Sequence, residues 1–169
     1  SEHELRAGEG QHRNAAVVFF DIRGFTALSD RLDADELVQL LSEYQSRIVP
    51  IVQDNDGIID KFMGDGVMAT FGTPRTSPQD AANTLRCARA MLTAVDAWNT
   101  RREAAGFPIV RLSVGAHFGP IVMGDVGSER RLEFAVIGDT VNVASRLEES
   151  TRTVDSRLIV SAALMRAVQ

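Results

Sequence analysis

The chain has 169 residues, 44% of them apolar and 24% charged, with a formal net charge of −5. That length suits one domain and is too short for two, and the balance is that of a folded protein and not of a disordered tail. The acidic charge argues against non-specific nucleic-acid binding, which relies on excess Lys and Arg, yet it leaves room for a polyphosphate bridged by divalent metal.

Residues 1–14 are polar, carry no apolar period and read as a flexible lead-in or the stub of a longer chain. Ala15-Ala16-Val17-Val18-Phe19-Phe20 is then short, continuous and rich in β-formers, the pattern of a buried strand. This longest apolar run falls far short of the ~20 residues of a membrane span, so no membrane segment is expected in this chain. No cleavable apolar leader precedes it, and the single cysteine, Cys87, fits a reducing compartment. The expected location is the cytoplasm, or the cytoplasmic domain of a longer protein.

The strand ends in Asp21, with Gly24 shortly after. From Phe25 to Asp54 apolar residues recur at helical spacing. Leu28 and Leu32 belong to a short first helix, and Leu37, Leu40, Leu41, Tyr44, Ile48 and Ile51 to a longer second one that Asp33 or Asp35 caps. Asn55-Asp56-Gly57 is a turn. Ile58 to Met63 and Val67 to Phe71 read as two strands joined by Gly64-Asp65-Gly66, a strong hairpin signal because tight hairpins need positive φ. Asp80 to Ala105 reads as a long helix stopped by Gly106 and Pro108. Val110 to Phe118 and Ile121 to Asp125 are expected to form a second hairpin around Gly119-Pro120. Leu132 to Ile137 adds a strand, Gly138-Asp139-Thr140 opens a helix to about Glu149, and Leu158 to Val160 is a last strand before a helix starting at Ser161. Strands and helices mixed in this order predict an α+β sandwich with helices on an antiparallel or mixed sheet.

Asp21, at a strand end, and Asp65, at a hairpin tip, are both placed to expose a carboxylate at the sheet edge, where sites are commonly built. Together they would make a hard oxygen site suited to Mg²⁺ or Mn²⁺. Taken alone, the same residues read equally as a helix cap and a turn residue. Asn142 and Arg146 stand i, i+4 and project from one helix face. The bland alternative there is a solvated polar face, with Ser145, Glu148 and Glu149 as its other members.

Three segments decide between these readings. Phe19-Phe20-Asp21-Ile22-Arg23-Gly24-Phe25-Thr26, Asp60-Lys61-Phe62-Met63-Gly64-Asp65-Gly66, and Val136 to Glu148 with its Gly138-Asp139-Thr140-Val141-Asn142-Val143-Ala144-Ser145-Arg146 run stand in this order. Together they closely resemble the catalytic domain of class III nucleotidyl cyclases, over nearly the whole chain from about Ala15 to Ser161. The resemblance implies a ferredoxin-like, palm-like fold over residues 15–169. It also implies a lyase that turns ATP into cyclic AMP and pyrophosphate with two Mg²⁺ or Mn²⁺ ions per site, as part of a larger signalling protein. Asp21 and Asp65 match the metal-binding aspartates, and the Ile22 carbonyl matches a backbone metal ligand. Gly24, Phe25 and Thr26 match the turn whose N–H groups grip the β- and γ-phosphates. Asn142 matches the residue that orients the ribose, and Arg146 the one that stabilises charge on the α-phosphate. In the family these groups come from two subunits, so a homodimer with two symmetric interfacial sites is expected.

Base choice is where the sequence departs from the pattern. Lys61 matches the lysine that adenylyl cyclases set against adenine, and a donor-only group suits adenine N1 and not guanine N1–H. Its partner position is Ala135, which cannot hydrogen-bond, a loss worth about 1–3 kcal/mol of discrimination if nothing replaces it. Phe62 and Phe134 either wall the purine pocket or lie in the core, the latter being the ordinary place for strand residues. Ser113 stands where many relatives have a phosphate-holding arginine, and Arg111 is the candidate substitute. No lysine follows Lys61, so the triphosphate-binding lysine expected late in the domain is either beyond a truncated end or absent. Cys87 reads as core, His117 as structural, and His3 and His12 lie in the polar lead-in. A guanylyl cyclase and a catalytically silent dimerisation module are the alternatives.

Overall fold

The computed structural model describes residues 10–128, 130–131 and 133–168. Strand β1 (Gly10–Ile22) leads through Gly24 into a short helix α1 (Phe25–Ser29) and a long helix α2 (Ala34–Asp54). The hairpin β2 (Ile58–Met63) and β3 (Gly66–Phe71) follows, then helix α3 (Asp80–Ala104) and strand β4 (Leu112–Asp125). Strand β5 (Phe134–Ile137), helix α4 (Asp139–Ser150), strand β6 (Leu158–Val160) and helix α5 (Ala162–Ala167) complete the chain. The sheet runs β2-β3-β1-β4-β5, antiparallel throughout, with β6 added in parallel beside the first half of β4. This is the expected α+β palm with a mostly antiparallel sheet flanked by helices.

Alternation along β1 sorts the helices to the two faces. Ala16, Val18, Phe20 and Ile22 point into a core shared with Leu40, Tyr44, Ile48 and Val52 of α2 and Ala88, Met91, Val95 and Trp98 of α3. Ala15 and Val17 point the other way, into a smaller cluster with Ile121, Met123, Val136 and Ala144 of α4. Asp33, not Asp35, caps α2. Its carboxylate accepts from the Glu36 N–H at 2.8 Å while the Glu36 side chain accepts from the Asp33 N–H, a closed capping box.

Two expectations are corrected. Gly10 to Asn14 are not part of a lead-in but the first rungs of β1, paired with Pro120 to Gly124. Correspondingly, Gly119-Pro120 is no hairpin tip, and β4 runs straight through it. Gly119 lacks the positive φ that a tight turn needs, and the polar start of β1 supplies the partner that keeps this stretch extended. Leu132 and His3 lie outside the described residues. Cys87 is buried, and burial pushes its thiol up to about 12, which makes it an inert core residue. His117 bonds Ser161 Oγ at 2.7 Å, a structural contact at the cap of α5.

Candidate active site

Register alone brings the two aspartates together. Phe20 lies opposite Val67 in the β1–β3 ladder, so continuing that antiparallel pairing sets Ile22 opposite Asp65 at the hairpin tip. The contact is made: the Ile22 N–H donates to Asp65 Oδ2 at 3.0 Å. Gly64, with φ 66°, supplies the left-handed residue that turns the tip. Asp21 is the last β1 residue pointing to the α4 face, opposite Ser113 of β4.

Helix α4 shows two faces. Thr140, Ala144 and Glu148 are buried against the sheet, where the helix backbone runs directly over Gly115. Asp139, Asn142 and Arg146 are exposed, with Arg146 Nη2 3.9 Å from Asp139 Oδ1. Glu148 is therefore not a member of the solvated face. It is 4% exposed and lies against Asp21. The signal was in the sequence: 140, 144 and 148 repeat at i, i+4, i+8, out of phase with 142 and 146.

The electrostatics of this corner are strongly negative. Burial, hydrogen bonding to Asp21 and the charge of Asp21 push the Glu148 carboxyl up to about 8. Asp21 Oδ1 and Glu148 Oε1 are both buried without a hydrogen-bond partner, the mark of a carboxyl pair crowded out of water. Asp65 is also pushed up, first by burial and then by Asp21, against the pull of the Ile22 N–H. Burial, followed by the charges of Asp21, Asp65 and Glu148, drives the Tyr44 hydroxyl well above its ordinary range. Arg152, just past α4, reaches back with Nη2 3.7 Å from Asp21 Oδ2.

Such a corner fits a divalent cation. Among the described residues no three His, Cys, Asp or Glu side chains form a closed metal cage. Two carboxylates at a sheet end, with the Ile22 backbone beside them, instead leave coordination positions for water and phosphate oxygens, as Mg²⁺ prefers. Sequence reasoning missed Arg152, Tyr44 and Arg23. The Arg23 guanidinium donates to Ser113 Oγ, Thr151 O and Ser156 O, so it ties the end of β1 to β4 and to the loop after α4.

The remaining expected residues stand at the start of α1, just ahead of β4 and on the two edge strands β2 and β5. Gly24 has φ 69° and open space where a Cβ would stand, so its backbone conformation and not crowding selects glycine before α1. Phe25 is half-buried and Thr26 exposed. The Arg111 carbonyl accepts from the Arg23 N–H at 2.7 Å, and its residue is exposed. Lys61 stands on edge strand β2, its Nζ 3.5 Å from Asp60 Oδ2, and half-buried Ala135 stands on β5 at the opposite edge of the sheet. Phe62 and Phe134 are 48% and 51% exposed, so neither is a core residue. With Met63 and Ile137 they put bare apolar side chains on both edge strands.

Comparison with known proteins agrees with this geometry. Residues 8–169 match the family model described as the adenylate and guanylate cyclase catalytic domain. The chain is 36% identical over 153 residues to adenylate cyclase 1 of Rhizobium meliloti (strain 1021), covering 90% of this chain and 23% of that protein. The chain thus spans about a quarter of that curated relative. The fold superposes with a TM-score of 0.85 on the adenylyl cyclase CyaB from P. aeruginosa, at 32% identity over 95% of this chain and 82% of that one. It superposes equally, TM-score 0.85, on the guanylyl cyclase Cya2, at 29% identity over 95% and 80% of the two chains.

Proposed function

The chain belongs to the family of adenylate and guanylate cyclase catalytic domains, and from that premise we propose that it converts ATP to 3′,5′-cyclic AMP and pyrophosphate at two equivalent sites across a homodimer. Domains of this family bind a nucleotide, function as dimers and use divalent metal ions. The observation that carries the reading is the meeting of Asp21 and Asp65 at one sheet corner through the Ile22 N–H.

Asp21, Asp65 and the Ile22 carbonyl would hold the metal ions, which supply a lowered pKa for the ribose 3′-hydroxyl and neutralise the leaving phosphates. In the reaction the 3′-hydroxyl gives its proton to Asp21 or a bound water, its oxygen forms a bond to the α-phosphorus, the bond from that phosphorus to the bridging oxygen breaks, and pyrophosphate leaves with its electrons. Arg146 provides fixed positive charge where charge builds on the α-phosphate, and Asn142, on the same exposed helix face, orients the ribose. The turn at Gly24, Phe25 and Thr26 offers backbone N–H groups to the outer phosphates.

The two-chain site is supported by the faces of α4. Arg146 and Glu148 lie about 200° apart on a helix of 3.6 residues per turn. Asp21 sits beside Glu148, so Arg146 points away from the aspartates of its own chain. A second copy, seated on the apolar side chains of the edge strands, brings its Arg146 to them.

Lys61 favours ATP, because a donor on β2 suits adenine N1. Ala135 favours relaxed selection, since it offers the adenine amino group no acceptor, and this keeps GTP as a second reading. Product analysis with ATP or GTP and excess Mn²⁺, beside Asp21→Ala and Asp65→Ala, tests both. Cyclic AMP that vanishes in both variants is the expected result; cyclic GMP as the main product moves the assignment to a guanylyl cyclase. No cyclic product from a dimeric sample overturns the enzymatic reading.

A further inference from the structure

At the corner the charge of Asp21 acts on both Asp65 and Glu148, and Arg152 forms an ion pair with Asp21. The Arg152 guanidinium lies 3.7 Å from Asp21, and its charge opposes the upward push that burial and Asp21 exert on Asp65 and Glu148. Its backbone is held from both sides. Thr151, buried, turns its hydroxyl and N–H onto the Glu148 carbonyl at 2.6 and 3.1 Å. Arg23 donates to Thr151 O at 3.3 Å and to Ser156 O at 2.6 Å, clamping the loop on either side of residue 152 to the end of β1. The Arg152 side chain itself stays 53% exposed. A fixed anchor carrying a solvent-facing charge is the arrangement of a tethered ion.

We propose that Arg152 is a tethered counter-ion of the Asp21–Asp65 metal site, which neutralises Asp21 and must give way before a divalent ion can bind there. The inference rests on the reading of Asp21 and Asp65 as metal ligands. Direct competition follows because Asp21 Oδ1 is buried, and the guanidinium lies against Oδ2, the oxygen left to a metal. Arg152 is thus a positioning residue that sets how tightly the site takes metal, and the pair is exposed enough for salt to weaken it.

Binding of Mn²⁺ alone to the full chain, followed by EPR of the free ion, tests this without turnover. Arg152→Gln should bind Mn²⁺ about two- to fivefold more tightly than the parent chain, the range of one partly exposed ion pair. Arg152→Lys, which keeps the charge, should bind like the parent, and the gap between parent and Gln variant should narrow as salt rises. Asp21→Asn separates the two levels of the argument. If Asp21→Asn loses the binding while Arg152→Gln binds no tighter than the parent, the counter-ion proposal is overturned and the metal site stands. If parent and Asp21→Asn bind alike, the metal-site reading fails and takes the proposal with it.

Discussion

The Ile22 N–H donates to Asp65 Oδ2 at 3.0 Å, so the residue that follows one acidic side chain in sequence holds the other in place across the sheet. Position and charge can therefore be separated at Asp65. Asp65→Asn keeps a side-chain oxygen that accepts the Ile22 proton, whereas Asp65→Ala leaves that N–H without its partner. Thermal unfolding should show Asp65→Asn within a degree or so of the parent. Asp65→Ala should fall by about 2–4 °C, the effect of one hydrogen bond worth ~1 kcal/mol in a chain of this size. Cyclase activity should drop in both by more than the ~10–100-fold typical of a mere outer-shell partner of a metal.

The opposed faces of α4 lead to a complementation test. Asp21→Ala spoils the site that a chain offers through its sheet corner, and Arg146→Ala spoils the one it completes for its partner. Each variant alone should be inactive. Mixed in equal amounts and allowed to exchange subunits, half the dimers combine one chain of each kind and carry one intact site. Activity should recover to about a quarter of the parent, as two-fold symmetry requires. A mixture as silent as its components would place Arg146 and Asp21 in the same chain's site.

What the sequence made legible follows from how local each signal is. The run from Ala15 to Phe20 and the Gly64-Asp65-Gly66 tip are decided within a few residues and stand where expected, and the choice left between Asp33 and Asp35 as cap falls to Asp33. The straight path of β4 through Gly119-Pro120 is a tertiary effect, because it depends on the β1 rungs at Gly10 to Asn14, whose polar side chains gave no strand period. Glu148 follows the 140, 144, 148 phase of α4, but its charge masks that signal. A carboxyl in the buried helical phase breaks the apolar pattern, and only its neighbour Asp21, far off in sequence, accounts for it. Phe62 and Phe134 were drawn toward the core by hydrophobicity alone, although edge strands can keep such residues for a partner.

Gly115 tests how closely α4 must sit. A Cβ there would stand 2.6 Å from Glu148 Cα and 2.8 Å from the Ala144 carbonyl oxygen, both backbone atoms that cannot turn aside. Gly115→Ala must push the helix off β4. The expected loss is about 1–3 kcal/mol, typical of overpacking and visible as a clear drop in thermal midpoint. The same shift carries Glu148 away from Asp21 and moves Arg146, so activity at a temperature where the variant is fully folded should fall as well. A variant that keeps both stability and activity would mean that the helix is not held at this spacing.

The raised carboxyl of Glu148 gives the fold a pH dependence with a definite sign. Unfolded, the Glu148 carboxyl titrates near its ordinary 4.5; folded, burial and Asp21 raise it to about 8. Between those values the native chain holds a proton that the unfolded chain has released, so stability declines as pH rises from about 4.5 to about 8 and then levels off. The upward push on Asp65 acts in the same direction. Glu148→Gln replaces the titrating group with a neutral one of the same shape whose amide can donate to Asp21. Unfolding in a chelating buffer at pH 5, 6.5 and 8 should show the Gln variant gaining steadily on the parent. By pH 8 the gain should be at least about 2–4 °C, since even one unit of raised pKa is worth ~1.4 kcal/mol. Parallel curves for the two chains across that range would mean that Glu148 titrates alike in the folded and unfolded chains.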